Sequence, residues 1–270
     1  MKHLKERYRY SIILLKQLVK TDFKIRYQGS VLGYLWTLLR PLALFTILYI
    51  VFVKFLKVGD QIPHFAVYLL LGIVFWNFFV EVTMGSVGAI VAKGDLMRKL
   101  SFPRYVIIVA GSFSALINLT INMVVVFFFM LLNHVPLRVN GLLIVFPLLE
   151  LFILSLSMGL LLSALYVRFR DINYIWEVAL QAGFYATPIL YPISLVMTMS
   201  LLAAKVLMLN PMAQIIQDAR SFLVTNQTQN IATIYGTQWA RLIPVTIVLV
   251  IAILAVWYFR KRAPYFAEEV

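Results

Sequence analysis

The sequence predicts an all-α integral membrane fold. We expect six transmembrane helices, an N-terminal amphipathic helix at the membrane interface, and re-entrant half-helices between the fifth and sixth spans. Of the 270 residues, 62% are hydrophobic and only 13% are charged, and the mean hydropathy is +0.90. Soluble domains average about 45–50% apolar and about 25% charged residues, so this chain lies far outside their range. Cysteine is absent, which excludes disulfides, thiolate metal sites and cysteine catalysis.

Residues 1–33 are predicted to form the interface helix and a turn. Lys16 and Lys20 fall on one stripe of a helical wheel, beside an apolar face that includes Leu15. This pattern is typical of a helix in the headgroup plane, with its basic edge toward anionic lipid. A soluble cap helix is the alternative. Gly33 permits the chain to turn into the membrane.

Six apolar stretches then approach or exceed the length of about 20 residues that a membrane-spanning helix needs. They are Leu35–Leu56, Ala66–Val91, Tyr105–Leu132, Gly141–Val167, Tyr174–Leu190 and Arg241–Phe259. We expect one domain over residues 1–270. Its parts are spans one to five within 34–190, a re-entrant and external segment at 191–240, the sixth span at 241–259 and a tail at 260–270.

The segment after the fifth span carries strong helix-breaking signals. The run Thr187-Pro188-Ile189-Leu190-Tyr191-Pro192 interrupts the helix, and the apolar stretch Ile193–Leu209 that follows ends before Pro211. Non-helical backbone at membrane depth is tolerated only where it packs in protein or lines a cavity. Two half-helices that dip in from the outer side satisfy this condition. A seventh full span would instead place the basic C-terminus outside.

The distribution of basic residues predicts the orientation. Seventeen of the 24 Lys and Arg residues lie before the first span, in the links after the second and fourth spans, or at the C-terminus. By the positive-inside rule, these segments and both termini face the cytoplasm. The net charge of +13 is thereby explained, and no nucleic-acid partner is expected.

Two features within the spans suggest a substrate path. Arg40 precedes Pro41 inside the first span, and a charge at that depth is expected to face protein or a water-filled path. Snorkelling or pairing with an acid is the alternative. Phe75, Phe78 and Phe79 share one face of the second span, where they could stack on sugar rings. Helix packing or lipid contact is the commoner role of such phenylalanines.

Other polar residues lie within the predicted spans. Asn118 and Asn122 share one face of the third span and are expected to bridge helices. Glu81 and Glu150 have no obvious partner in the sequence.

The link Lys93–Arg104, with the sequence KGDLMRKLSFPR, is short, charged and amphipathic. Its apolar residues Leu96, Leu100 and Phe102 could dock into a partner's groove while the basic residues face solvent. A solvated positive-inside loop is the alternative.

Catalytic and cofactor motifs are missing from the sequence. There is no Gly-Lys dipeptide, hence no phosphate loop of the G-x-x-x-x-G-K-[ST] type, so any ATP must be bound by a separate chain. The three histidines are scattered, no G-x-S-x-G motif occurs, and the acids are dispersed. We therefore predict a transport subunit and not an enzyme, with no cofactor or metal in this chain.

Short motifs occur in order along nearly the whole chain. They are Lys24-Ile25-Arg26-Tyr27, Leu32-Gly33-Tyr34-Leu35-Trp36 with Pro41, Phe102-Pro103-Arg104, Phe169-Arg170-Asp171, Thr187-Pro188-Ile189-Leu190-Tyr191, Asn210-Pro211 and Tyr265-Phe266-Ala267-Glu268. Together they resemble the membrane subunit of ABC-2 type exporters of lipid-linked polysaccharides, a group that serves O-antigen, teichoic acid, capsule and galactan export.

The resemblance implies an ATP-driven permease that moves a lipid-linked glycan outward across the bacterial plasma membrane. It implies a homodimer that binds two copies of a separate ATPase subunit, which holds ATP and Mg²⁺. The implied ATPase-coupling residues are Lys93, Gly94, Asp95, Leu96, Met97, Arg98, Lys99, Leu100, Phe102 and Arg104, with Arg170 and Asp171 in a second contact.

The resemblance also implies that the first and fifth spans line a channel. With Arg40 and the aromatic face of the second span, the candidate path comprises Trp36, Arg40, Phe75, Phe78, Phe79, Phe184, Tyr185 and Tyr191. One alternative function is an ABC-2 exporter of a small hydrophobic molecule or lipid. Another is a membrane-embedded glycosyl- or acyltransferase, against which the lack of acid and histidine clusters counts.

Overall fold

The computed structural model describes residues 12–22, 24, 32–57, 62–99 and 102–269. Within these ranges all regular structure is helical and no strand occurs, which confirms the predicted all-α class. Helix α1 comprises residues 12–22. The others are α2 (Trp36–Tyr49), α3 (Phe65–Val87), α4 (Ala89–Ala92), α5 (Gly94–Lys99), α6 (Tyr105–Leu132), α7 (Val145–Arg168), α8 (Ile172–Ala186), α9 (Ile193–Met199), α10 (Leu201–Leu207), α11 (Pro211–Leu223), α12 (Ile231–Tyr235), α13 (Leu242–Arg262) and α14 (Phe266–Glu269).

Short 3-10 and π-helical segments extend several of these helices. Three-ten turns at Gly33–Leu35, Val139–Ile144 and Gln238–Arg241 lead into α2, α7 and α13, and a π-helical turn at Ile50–Phe55 continues α2. Gly33 has a φ of +46°, in the left-handed region that glycine adopts without strain. The predicted turn ahead of the first span therefore includes a backbone conformation that favours glycine.

Five helical stretches among the described residues are long and apolar enough to cross a membrane. They are Gly33–Phe55, Phe65–Val87, Tyr105–Leu132, Val139–Arg168 and Gln238–Tyr265. The predicted fifth span has a different extent, because α8 has 15 residues and ends at Ala186 instead of Leu190. Thr187 is extended, with ψ at 139°, as expected for a residue that precedes a proline.

Helix α3 is the centre of the bundle. Eighteen of its 23 residues are buried, and it packs against α2, α6, α7, α8 and α11. A helix that is apolar over most of its surface is stable only when protein or lipid surrounds it, which explains why α3 occupies this position. By contrast, α2 buries only Pro41 and Phe45, and α8 buries only Leu180. The two helices therefore form the open side of the bundle.

A cap covers the end of the bundle at which α3 begins. It is formed by α9 to α12, whose buried residues include Ile193, Met208, Ala213 and Ile231. Its helices have strong N-terminal caps. The side chain of Asn210 accepts from the backbone amide of Met212 in α11, and Asn230 and Thr233 form a capping box in α12. These caps stabilise short helices that could not form alone.

Arg220 of α11 joins this cap to the bundle and to the break after α8. The side chain is fully buried. It donates hydrogen bonds to the carbonyl oxygens of Pro188 (2.6 Å) and Ile189 (2.8 Å). It donates a third hydrogen bond to the backbone carbonyl of Tyr68 in α3 (3.0 Å). Its guanidinium also lies 3.5 Å from the centroid of the Tyr68 ring. Burial lowers the pKa of Arg220 to about 10, so it remains charged at neutral pH.

A second apolar cluster lies at the end of the bundle where α3 ends. Ile90 of α4 and Met97 of α5 pack there with Phe259 of α13 and with Phe266 of α14, which is fully buried. The rings of Phe259 and Phe266 meet edge to face at 5.4 Å between centroids. The start of the Lys93–Arg104 link is thus anchored by the C-terminal segment of the chain.

An ion pair connects α1 to the same region. Lys93 Nζ lies 3.0 Å and 3.1 Å from the two carboxylate oxygens of Asp22, with both side chains about one-quarter exposed. Within α1, Lys16 and Lys20 are exposed while Leu15 is half-buried, which agrees with the predicted amphipathic pattern.

Candidate functional site

A groove of about 920 Å³ opens between α2 and α8, with α3 and α6 as its floor. Its lining residues come from all four helices: Trp36, Thr37, Arg40, Pro41, Leu44, Val74, Trp76, Asn77, Phe78, Val80, Glu81, Met84, Asn118, Leu119, Asn122, Glu177, Leu180, Gln181, Phe184 and Tyr185. Known ligand sites fall in the range of about 300–1,000 Å³. The groove is therefore large enough for an extended molecule.

The position of α2 along one side depends on Pro41. Proline has no backbone N–H, so the carbonyl of Thr37, four residues earlier, loses its helical donor. Asn122 of α6 donates to that carbonyl at 3.3 Å, and its Nδ2 also donates to the carbonyl of Asn118 at 2.9 Å. The proline and the asparagine thus act together to fix α2 against α6.

The floor of the groove carries a polar pair. Asn118 Nδ2 donates to Glu81 Oε1 at 2.7 Å, a short distance that is typical of hydrogen bonds to a carboxylate. Asn118 is 4% exposed. Its Oδ1 has no hydrogen-bond donor among the described residues. A buried acceptor without a donor costs roughly 1–3 kcal/mol.

Aromatic rings cover the α3–α8 side. Trp76 of α3 and Phe184 of α8 meet edge to face at 6.0 Å, and Phe184 meets Tyr185 in the same way at 5.4 Å. Gly183 permits this contact, because a Cβ there would lie 2.9 Å from Cη2 of Trp76. The close approach of α8 to α3 therefore depends on glycine at this position.

The exposed side of the groove carries charge of both signs. Arg40 is exposed on α2, while Glu177 and Gln181 are exposed on α8, one helical turn apart. Among the groove's lining residues, the ionisable acids and bases are Arg40, Glu81 and Glu177. The exposed side of the groove therefore carries one guanidinium and one carboxylate.

Five of the eight predicted path residues line this groove: Trp36, Arg40, Phe78, Phe184 and Tyr185. The other three lie outside its lining. Phe75 is fully buried, and Phe79 packs edge to face with Trp176 at 6.1 Å. Tyr191 follows the break after α8, where its hydroxyl donates to the carbonyl of Tyr185 at 3.2 Å.

The predicted coupling residues fall at the opposite end from the cap. Lys93 separates α4 from α5, Asp95 and Arg98 are exposed, and Leu96 is half-buried. Gly94 and Met97 are buried, Lys99 ends α5, and Leu100 lies outside the described residues. Phe102 packs against the same apolar cluster, and Arg104 directly precedes α6.

The second predicted contact precedes α8. The guanidinium of Arg170 lies 5.1 Å from the centroid of Tyr166, and Asp171 is the residue before the helix. Arg170, predicted with Asp171 to form a second contact with the ATPase subunit, thus lies over a ring of α7.

Three polar residues were not identified from the sequence: Glu177, Gln181 and Arg220. Glu81 and Asn118 were noted separately, but their pairing was not predicted. The spacing of Glu177 and Gln181 by four residues on α8 was an available signal. Nothing in the sequence indicates that Arg220 is buried or that Glu81 meets Asn118, because both depend on contacts between distant helices.

A multi-pass helical bundle with a wide, polar-floored groove on its open side has the architecture of a membrane transport domain. Residues 13–224 match the family model described as ABC-2 type transporter, and the chain belongs to that family. The resemblance noted from the motifs is therefore confirmed.

Curated relatives carry more specific names. The chain is 28% identical to the O-antigen export system permease protein RfbA of Myxococcus xanthus, over 99% of this chain and 98% of that protein. It is 32% identical to a Klebsiella pneumoniae protein of the same name, over 67% of this chain and 70% of that one.

Proposed function

We propose that this chain is the permease subunit of an ATP-driven ABC exporter. It moves a lipid-linked polysaccharide, such as O-antigen or teichoic acid, from the cytoplasmic to the outer side of a bacterial plasma membrane. The similarity to an O-antigen export permease along nearly the full length of both chains carries this proposal. The wide groove, with aromatic walls and a polar floor, suits a hydroxyl-rich polymer better than a compact hydrophobic molecule.

We propose six spans with both termini in the cytoplasm and a re-entrant pair in the outer cap. The seven-residue helices α9 and α10 are each about 10 Å long at ~1.5 Å per residue, a third of the hydrocarbon thickness of about 30 Å. Neither can cross the membrane. Helix α8 together with the extended run to Tyr191 serves as the fifth span. The tail after α13 then lies on the cytoplasmic side, with most of the basic residues.

A cysteine-accessibility experiment tests this topology. Ser194 in α9 and Arg98 in α5 are both exposed and lie at opposite ends of the bundle. A single cysteine at position 194 is expected to react with an impermeant maleimide added to intact cells. A single cysteine at position 98 is expected to react only after the cells have been opened. The reverse labelling would contradict the proposed orientation.

We propose that two copies of the chain form the channel and that two copies of a separate ATPase subunit, with ATP and Mg²⁺, drive it. The exposed faces of α2 and α8 supply the surface on which two grooves would meet. The exposed residues of α4 and α5 supply the contact for the ATPase, and the groups at Arg170 and Asp171 supply a second one. The apolar cluster around Met97 and Phe266 would hold this contact rigid.

Deletion of the gene in the organism that carries it tests the function. Surface polysaccharide is expected to fall while lipid-linked glycan accumulates inside, and a plasmid copy is expected to restore export. Unchanged surface polysaccharide, together with new sensitivity to hydrophobic dyes, would instead support an exporter of small hydrophobic molecules. A Leu96→Asp variant that restores export as well as the wild type would overturn the coupling assignment.

A further inference from the structure

We infer that the C-terminal end of α13 is a binding site for an acidic phospholipid. Arg260 and Lys261 meet the headgroup phosphate there, and Trp257 lies at the level of the glycerol backbone. The site is on a different helix from the open side formed by α2 and α8. It therefore does not depend on which molecule the transporter exports.

One face of α13 is an apolar stripe that leads directly into these cations. Val250, Ile253 and Trp257 recur at helical spacing and are 49%, 68% and 57% exposed. At ~1.5 Å per residue, the helix rises about 10 Å from Val250 to Trp257, most of the roughly 15 Å that half of the hydrocarbon core provides. An acyl chain of one leaflet can lie along this face. The indole then sits at the edge of the hydrocarbon, where tryptophan is enriched.

The cations that follow the stripe are turned back toward the membrane. Lys261 comes one helical turn after Trp257, and its Nζ lies 5.0 Å from the centroid of the indole. The guanidinium of Arg262 lies 5.9 Å from the centroid of Tyr258. Both charges are thus held at the depth of the rings, which is the level of lipid headgroups. A soluble partner would be met better by charges that extend away from the membrane.

The cations at the end of α13 have no acidic partner among the described residues. Arg260, Lys261 and Arg262 take part in no ion pair there, and the ion pair at this end of the bundle joins Lys93 to Asp22. The exposed side chains of Arg260 and Lys261 therefore keep hydrogen-bond donors for a ligand. A phosphate that accepts from both gains charge-assisted hydrogen bonds, which are the stronger class.

The charge around this site is positive on balance. Val167 and Phe259 pack in one apolar cluster, which places Arg168, the last residue of α7, at the level of the end of α13. Segments 166–171 and 257–270 together hold five cations and three acids: Arg168, Arg170, Arg260, Lys261 and Arg262 against Asp171, Glu268 and Glu269. This excess favours an acidic headgroup over phosphatidylcholine, which brings a cation of its own.

Two charge variants and one control test the site. Lys261→Gln removes one exposed charge, and the double variant with Arg260→Gln removes two. Arg138→Gln is the matched control, because Arg138 is also an exposed cation but lies ahead of α7, at the opposite end of the bundle. All three positions are outside the apolar clusters, so the variants are expected to fold like the wild type.

The assay measures the quenching of Trp257 fluorescence by brominated phospholipids in vesicles that contain the full chain. Because the chain has five tryptophans, the Trp257 signal is the difference between each protein and the same protein with Trp257→Phe. The probes are brominated phosphatidylglycerol, which is acidic, and brominated phosphatidylcholine with the same acyl chains.

Each exposed cation is expected to contribute about fivefold to the preference for the acidic lipid, the effect of one basic residue near an anionic surface. The wild type and Arg138→Gln should therefore prefer phosphatidylglycerol by about 25-fold. Lys261→Gln should reduce this preference to about fivefold, and the double variant should bind both lipids equally. Excess inorganic phosphate should leave the quenching unchanged.

Equal binding of the two lipids at Trp257 in the wild type would overturn the inference. A loss in Arg138→Gln as large as in Lys261→Gln would also refute it, because the effect would then reflect overall charge. Displacement of phosphatidylglycerol by inorganic phosphate would show a site for the free ion and not for a lipid. If the double variant keeps the lipid preference but no longer co-purifies with the ATPase subunit, the cations contact that protein and the inference is wrong.

Discussion

Replacement of Arg220 by Met is expected to weaken the connection between the cap and the bundle. The guanidinium makes four hydrogen bonds, to the carbonyls of Tyr68, Pro188 and Ile189 and to Gln217 Oε1. Met fills similar volume but satisfies none of these acceptors.

The expected cost follows from the orphaned acceptors. Gln217 Oε1 keeps the Tyr68 hydroxyl as a donor and the Tyr68 carbonyl keeps its helical donor in α3, so the carbonyls of Pro188 and Ile189 are the two acceptors that lose theirs. At about 1 kcal/mol for each, the low end of the usual range since water can enter a surface cap, they amount to about 2 kcal/mol. The lost contact of Arg220 with the Tyr68 ring adds about 2 kcal/mol. Met carries no charge, so the free-energy cost of burying the guanidinium is removed. This gain offsets the loss of the ring contact by a comparable amount. We therefore expect the free energy of unfolding to fall by about 2 kcal/mol.

Equilibrium unfolding in mixed micelles titrated with SDS measures this free energy. Tyr68→Phe is the control, because it keeps the ring under Arg220 and removes only a 3.3 Å hydrogen bond from the Tyr68 hydroxyl to Gln217. The control is expected to cost about 1 kcal/mol or less. A local readout is the alkylation of a cysteine at Thr187, a fully buried position, which should become much faster in the Arg220→Met background.

A double-mutant cycle with Gly72 makes the reasoning refutable. A Cβ at Gly72 would lie 2.5 Å from Arg220 Nη2, so Gly72→Ala is expected to cost about 1–3 kcal/mol in the wild type. With Met at position 220 the nearest clash is gone, and the cost should fall by at least about 1 kcal/mol. If the costs of Gly72→Ala and Arg220→Met add to within about 0.5 kcal/mol, the two positions do not interact. That result, or an Arg220→Met variant as stable as Tyr68→Phe, would show that Arg220 does not stabilise the non-helical run after α8.

Three further predictions concern the other end of the bundle and the groove. Phe266→Ala is expected to cost about 3–5 kcal/mol of unfolding free energy, because a fully buried ring is lost, and to speed proteolysis of α5. Asp22→Lys is expected to lower stability by about 1 kcal/mol or less, because the pair is partly exposed, and Lys93→Asp in the same chain should restore it. Asn122→Leu is expected to cost about 1–3 kcal/mol, and less in a Pro41→Ala background, where a restored N–H can satisfy the Thr37 carbonyl.

Each of these three predictions has a control or a result that would contradict it. Tyr265→Ala, at a half-exposed neighbour of Phe266, should leave α5 as resistant to protease as in the wild type. A double exchange at 22 and 93 that is no more stable than either single variant would show that the ion pair contributes nothing. Equal costs of Asn122→Leu with and without Pro41 would show that the freed carbonyl does not matter.

Much of the fold was predictable because it depends on local properties of the chain. Hydropathy and segment length determine whether a helix can lie in a membrane. They predicted the helical class, and five of the six predicted stretches correspond to described helices long and apolar enough to cross a membrane. Proline positions predicted the break after α8, since proline acts on its own and the preceding residue. Ordered motifs predicted the family. The six-span count, the re-entrant pair and the coupling residues remain predictions.

The tertiary structure alone decided which side chains meet. Asn77 and Glu81 lie one helical turn apart on α3 and line the groove with Phe78, whereas Phe75 and Phe79 do not line it. The sequence marks this polar face but does not show which helices it meets. The pairing of Glu81 with Asn118 joins positions 37 residues apart, and Arg220 meets Tyr68 across 152 residues. Such contacts depend on the rotation and spacing of packed helices. No local pattern in the chain encodes these quantities, which is why the site had to be found in the folded protein.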